Sequence, residues 1–213
     1  MNDKIRHLRQ EYAHATLEEN DLAANPFIQF QKWFEEAMSV DLPEPHAMTL
    51  STVSADGRPS SRVVLLRNAD EQGFVFFSNY QSRKSQEIQE NAFVALNFFW
   101  QQFERQVRIE GKIVKLDVAD SDAYFASRPR ESQIGAWASA QSKVCLSRSE
   151  LDAQVLFFTD KFAGVEVPRP PHWGGFSVKP DYFEFWQGRT SRLHDRMSYN
   201  LSQGNWQISR LNP

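Results

Sequence analysis

The feature that most restricts what this chain can fold into is a change of hydrophobic period at residue 46. Before it, FIQFQKWFEEAM places Phe27, Phe30, Trp33, Phe34 and Met38 near helical spacing. Asn25-Pro26 opens that segment with an N-cap residue and a proline at the first helical position. The pattern predicts a helix over 26–39, with Pro43 and Pro45 breaking the chain after it. From residue 46 the period becomes two. AMTLSTVS, RVVLLR, GFVFFSN, AFVALNFFW and RQVRIEGKIVKL read as strands, separated by turns such as ADGRPS. One short helix, SRKSQEIQE, interrupts them, with Ser82 as its expected cap. The last two of these strands are close enough in sequence to be neighbours. So regular a succession fits an antiparallel barrel better than repeated β-α-β units.

Helical pieces follow. ADSDAYFASRP stops at Pro129, ESQIGAWASAQS offers a second short helix, and Ser147 with Glu150 forms a capping-box pattern opening a third. The loop VPRPPHW then returns the chain to two or three final strands, with Gly174 and Gly175 expected to permit a turn. Residues 1–24 are polar with scattered Ile5, Leu8, Tyr12 and Leu17, and read as a mobile helical arm. Residues 25–213 read as one domain.

Composition removes several functions. The 24 Lys and Arg against 27 Asp and Glu leave a net charge of -3, so no global basic field invites nucleic acid. Cys145 is the only cysteine, which excludes an internal disulfide and a cysteine-rich metal site, and it is expected to be partly buried. The five histidines are dispersed without metal-ligand spacing, so no metal is expected. No run reaches the roughly 18 apolar residues of a membrane span. The charged start, MNDKIRHLRQEYAH, lacks a secretory core. A cytoplasmic location is expected.

Positive charge is instead gathered into four clusters. Arg62 and Arg67 flank VVLL, and Arg83 with Lys84 opens a helix, where free amides favour phosphate. Tyr124, Arg128 and Ser132 are spaced by four along an interrupted helix. Arg192, His194 and Arg196 follow Trp186 at two-residue spacing, which on an extended strand would put them on one face. Singly, each arginine is an ordinary strand-end or helix-end cation. Jointly, they supply convergent charge-assisted donors for two anions beside an aromatic platform, with Gln106, Gln141 and Ser142 able to address the edge of a heterocycle. No glycine-rich dinucleotide or P-loop signature is present, and no G-x-S-x-G elbow. The pattern points to a flavin-phosphate enzyme acting on a phosphorylated ring.

Long, ordered segments carry a resemblance to a known family: LRQEY, RVVLLR, FSNYQSRK, ERQVRIEG, YFASRPRESQIGAWAS with QS, WGGF, EFWQGRTSRLHDR and the terminal RLNP. Over essentially its whole length the chain resembles the pyridoxine/pyridoxamine 5'-phosphate oxidases. The resemblance implies a mainly β fold, the FMN-binding split β-barrel, and a homodimer with FMN at the subunit interface and both chains lining each site. It implies FMN contacts from Arg62, Val63, Val64, Leu65, Leu66, Arg67, Phe77, Ser78, Arg83, Lys84, Gln106, Gln141, Ser142, Trp186 and Arg196. Arg62 and Lys84 would take the FMN phosphate. Arg67, Tyr124, Arg128 and Ser132 would take the substrate phosphate, Arg192 and His194 the pyridine ring, and Arg9 and Tyr12 would close as a lid. The implied reaction is oxidation of pyridoxine or pyridoxamine 5'-phosphate by oxygen to pyridoxal 5'-phosphate, with hydride transfer to the flavin. The chain departs from the family pattern at Arg67 (commonly Lys), Phe77 (often Tyr) and Ser78 (often Thr). Two alternatives remain: an FMN enzyme for another planar metabolite such as a phenazine precursor, and a flavin or pyridoxal-phosphate carrier without turnover.

Overall fold

The computed structural model describes residues 11–213. Among the described residues nine strands form one sheet: β1 (Ala47–Val53), β2 (Pro59–Leu65), β3 (Asn68–Asp70), β4 (Gly73–Asn79), β5 (Phe93–Trp100), β6 (Arg105–Lys115), β7 (Trp173–Gln187), β8 (Asp195–Ser202) and β9 (Asn205–Arg210). The order is β2-β1-β5-β6-β7-β4-β3, with β8 pairing β7 and β9 completing the edge. The pairs β3–β4, β4–β7, β7–β8 and β8–β9 are antiparallel. Helices α1 (Pro26–Met38), α2 (Arg83–Glu90), α3 (Val118–Ser127), α4 (Arg130–Ala138) and α5 (Arg148–Lys161) flank the sheet. This is the antiparallel split-barrel class expected, and β5 and β6 are neighbours as anticipated. The short β3 was not anticipated.

The chain divides into two compact units. Of the described residues, the first comprises 11–50, 95–111 and 180–213. In it α1 begins as its sequence dictates: Asn25 Oδ1 accepts from the Phe27 amide at 2.9 Å and Pro26 follows. Its face of Phe30, Trp33 and Ala37 is buried, with Phe30 5.1 Å from Phe98 and Trp33 edge-on to Phe185 at 5.3 Å. Each such ring contributes about 1.5–3 kcal/mol by leaving water. The described part of the N-terminal segment, 11–24, is irregular with a single 3-10 turn at Glu19–Asp21, not helical as expected. Its apolar Leu17 is spent on burial and its amide on Asp195, which an irregular strap allows and an isolated polar helix would not.

The second unit comprises 51–94 and 112–179. Phe125, Ile134, Phe162, Val167 and Trp173 form its helix-side core. Here Gly174 and Gly175 lie inside β7, paired with Ser78 and Phe77 of β4, so they make no turn. They are needed for lateral room: a Cβ at 174 would sit 2.1 Å from the Tyr80 hydroxyl, and one at 175 would sit 2.5 Å from Leu116 Cδ1. Ser82 occupies the N-cap position of α2, but its hydroxyl donates to the Asn79 carbonyl (2.8 Å) instead of capping. Ser147 does cap α5, accepting from the Glu150 amide at 3.1 Å, while Glu150 turns to the Leu146 amide rather than closing the box. Cys145 is exposed, contrary to expectation, because its loop has no apolar layer over it. No helix among the described residues is long and apolar enough to cross a membrane. No metal-ligating group of three or more side chains occurs among them either.

Candidate active site

In the second unit, β2, the end of β4, the start of α2 and the end of α3 enclose a groove of about 610 Å³. Ser60–Leu65 form one wall because β2 alternates half-buried and exposed positions; Val63 is 66% exposed. Of the predicted residues, Arg62, Val63, Val64, Leu65, Arg67, Phe77, Ser78, Arg83, Lys84, Tyr124, Arg128, Gln141 and Ser142 line it together. Leu66, just past the end of β2, does not, and its side chain is buried at 6% exposure. Trp173, not anticipated as a site residue, lines the groove as well.

One end is a cationic nest. Arg62 donates to Thr52 Oγ1 (2.5 Å), Ser60 Oγ (2.9 Å) and Glu87 Oε2 (3.2 Å), while Arg83 Nε donates to Glu87 Oε1 (2.8 Å). Glu87 is 4% exposed. Burial raises its pKa, but hydrogen bonds from Thr52 and Arg83 and the charges of Arg62 and Arg83 outweigh this and keep it ionised. Glu87 thus orients both guanidinium groups. Its spacing of four from Arg83 was legible on the helix, whereas its tie to Thr52, across 35 residues, was not. Lys84 Nζ donates to Ser78 Oγ (3.0 Å), Ser82 Oγ (3.2 Å) and Gln141 Oε1 (2.7 Å), all neutral. Burial, then the charge of Arg62, lower its pKa to about 8, with Glu87 opposing.

With only neutral oxygens around it, this ammonium has its charge left for an anion, and the phosphate expected from the sequence would make binding pH-dependent. Binding a dianion raises the Lys84 pKa, and above pH 8 binding must take up a proton. Affinity for FMN is expected to fall as pH rises above about 8, checked by quenching of flavin fluorescence at pH 7, 8, 9 and 10. A flat profile, or one unchanged in Lys84→Met, would remove Lys84 from the phosphate site.

The other end is aromatic and cationic. Phe77 stacks on Tyr124 at 3.8 Å and on Trp173 at 5.4 Å. The Arg67 guanidinium carbon lies 5.9 Å from the centre of the Tyr124 ring, a cation–π contact. Arg128 lies 4.6 Å over Trp173; burial lowers its pKa, Tyr124 opposes this and Arg67 adds to it. Its Nη1 is the buried side-chain polar atom without a hydrogen-bond partner among the described residues. Tyr124, Arg128 and Ser132 do not share a helix face, because α3 ends at Ser127 and Pro129 forces Arg128 into extended backbone. Ser132 lines an adjoining cavity of about 260 Å³ with Arg128, Gln141 and Trp173.

The remaining predicted residues among those described belong to the first unit. Trp186 lies 4.6 Å from His194, and Tyr12 packs edge-on against both at 5.8 and 5.9 Å. Burial and then Arg192 lower the His194 pKa, with Asp195 opposing. Gln106 lies half-buried on β6. Arg9 lies outside the described residues. The expected Arg192-His194-Arg196 strand face is not formed. Arg192 ends a 3-10 turn (Thr190–Arg192) in left-handed backbone (φ 61), directly after Ser191 (φ 56), and His194 precedes β8. Only Arg196 is on the strand, where it forks onto the buried Glu184 (3.0 Å to each oxygen) and the Asn212 carbonyl (2.8 Å). The turn between β7 and β8 overrides the alternation.

Sequence comparison matches residues 34–160 to the family model "Pyridoxamine 5'-phosphate oxidase" and residues 173–213 to "Pyridoxine 5'-phosphate oxidase C-terminal dimerisation region". The chain is 53% identical over 209 residues to a pyridoxine/pyridoxamine 5'-phosphate oxidase of Acaryochloris marina, covering 98% of this chain and 95% of the other. It is 55% identical to one of Paraburkholderia phymatum, covering 97% of each. Among solved structures it is similar to PhzG of Burkholderia lata in complex with tetrahydrophenazine-1-carboxylic acid, with a TM-score of 0.89, 29% identity, and 96% and 100% of the two chains covered.

Proposed function

The chain belongs to the pyridoxine/pyridoxamine 5'-phosphate oxidase family, and on that premise we propose that the cationic groove is its flavin and substrate phosphate site. The protein is an FMN-dependent oxidase that converts pyridoxine or pyridoxamine 5'-phosphate to pyridoxal 5'-phosphate, with oxygen reduced to hydrogen peroxide and ammonia released from the amine. It acts as a homodimer on small phosphorylated pyridines.

The observation that carries the assignment is Arg128: a desolvated guanidinium with an unpartnered N–H beside Arg67 and Tyr124, a position that an incoming phosphate would satisfy. The neutral partners of Lys84 argue the same way for the FMN phosphate, so the residues fit the cofactor. Arg62, Arg83, Lys84, Ser78 and Gln141 hold that phosphate, and the β2 wall from Val63 to Arg67, with Phe77 and Ser142, borders the rest of the cofactor. Bound FMN supplies the two-electron acceptor and passes the electrons to oxygen. Arg67, Tyr124, Arg128 and Ser132 hold the substrate phosphate. Arg192 balances charge that changes on the pyridine, and His194 donates to its oxygen substituent. Gln106, Trp186 and Arg196 complete the cofactor contacts, and Arg9 and Tyr12 close the arm over the substrate. FMN sits at the dimer interface, with both chains lining each site. Residues 25–213 work as one flavin-binding domain served by the arm 1–24. A cytoplasmic location accords with a free, exposed Cys145.

The test is anaerobic mixing of the FMN-loaded protein with pyridoxamine 5'-phosphate, followed by oxygen. Flavin bleaching, aldehyde formation and recovery of the oxidised spectrum are expected; bleaching with a tetrahydrophenazine acid alone would move the protein to the other specificity.

A further inference from the structure

Asp195, the first residue of β8 and 8% exposed, is not among the substrate or cofactor contacts, yet three donors converge on it. Its Oδ2 accepts from the Leu17 amide (3.1 Å) and Arg189 Nη1 (2.7 Å), and its Oδ1 accepts from Arg210 Nη1 (2.8 Å). Burial raises its pKa, but these three bonds outweigh that and keep it ionised. Arg210 extends the network along the arm, meeting Glu18 (3.2 Å), Glu19 (2.6 Å) and the Leu17 carbonyl (3.3 Å).

The same carboxylate reaches the histidine through Arg189. While the Arg189 side chain is held by Asp195, its backbone N–H donates to His194 Nδ1 at 3.1 Å. An Nδ1 that accepts carries no proton, so the neutral imidazole has its proton on Nε2, free to act as a donor. Meanwhile the arm is fastened over this turn. Glu11 accepts from the Ser191 amide (3.3 Å), and the His14 amide donates to Glu104 (3.0 Å). Tyr12 packs so tightly that a Cβ on Gly188 would lie 2.8 Å from its Cβ and Cγ.

We propose that Asp195 is a positioning residue that couples the arm to the catalytic histidine. One carboxylate docks Leu17 and, through Arg210, Glu18 and Glu19, which anchors the arm at its base, and through Arg189 it fixes His194 in the Nε2–H tautomer. This rests on His194 being the donor to the substrate oxygen. An Asn at 195 offers one oxygen where two are needed, and its NH2 faces donors, so both links weaken together.

The experiment uses full-length FMN-loaded protein with 15N-histidine, reading the ring-nitrogen shifts of His194 (assigned through His194→Gln) and the rate of chymotryptic cleavage at Tyr12. Asp195→Asn is expected to shift His194 towards averaged tautomers, to speed cleavage, and to raise KM for pyridoxamine 5'-phosphate about tenfold, the scale of one lost contact. Two variants separate the arms and do not depend on Asp195→Asn folding. Arg189→Ala should shift the His194 signals and leave cleavage slow. Gly188→Ala should speed cleavage and leave the signals in place. If Arg189→Ala leaves the tautomer unchanged, or Asp195→Asn leaves both readouts at the wild-type value, the coupling is wrong. Failure of the wild-type enzyme to make aldehyde would instead overturn the functional reading, because neither readout needs turnover.

Discussion

Arg128→Ala is expected to raise KM for pyridoxamine 5'-phosphate by two to three orders of magnitude while barely changing the use of unphosphorylated pyridoxamine. Two charge-assisted hydrogen bonds, at about 1.5–3 kcal/mol each, account for roughly that factor. The groove makes the effect selective. Arg128 lies over Trp173, its Nη1 has no hydrogen-bond partner among the described residues, and burial already disfavours its charge. Such a group costs the ligand-free protein stability and is repaid only when an anion arrives. Arg128→Met, which keeps the apolar contact with Trp173, is therefore expected to leave the melting temperature of the substrate-free protein unchanged or raised. Steady-state kinetics on both substrates, with calorimetry of the variant, check the pair. Equal losses on the two substrates would take Arg128 out of the phosphate site.

The second large effect lies at the turn before β8. Arg192→Ala is expected to lower kcat by roughly two to three orders of magnitude, the size of removing one preorganised donor, with FMN affinity left within about a factor of two. Ser191 and Arg192 are consecutive non-glycine residues in left-handed backbone, a conformation costing of order 1–3 kcal/mol each. That strain is carried where Arg192 already acts electrostatically on His194. Stopped-flow flavin reduction under anaerobic conditions isolates the step. Loss of FMN with undiminished reduction of the flavin that remains would contradict the assignment.

Much of the fold could be read in advance because it rests on local rules. Asn25-Pro26 starts a helix wherever it precedes an amphipathic run, and β1, β4, β5 and β6 lie where the period of two placed them. The basic clusters at 62–67 and 83–84 were equally visible, and the groove brings them together. What could not be read depended on partners far apart in sequence. Glu87 with Thr52, and Asp195 with Leu17 at a separation of 178, have no local signature.

The sequence by itself determined most of the element types, the family and the basic clusters proposed to bind two phosphates, because capping, alternation and charge are properties of short stretches. Tertiary structure alone decided how those residues are used. The register that pairs Gln187 with Asp195 leaves seven residues to reverse the chain, and they do so through left-handed backbone at Ser191 and Arg192, so Arg192 and His194 leave the strand face that their spacing suggested. Likewise Gly174 and Gly175 serve neighbouring side chains, not a turn. Spacing sets which way a side chain points only while the backbone stays regular; where the chain turns, pairing and packing set it.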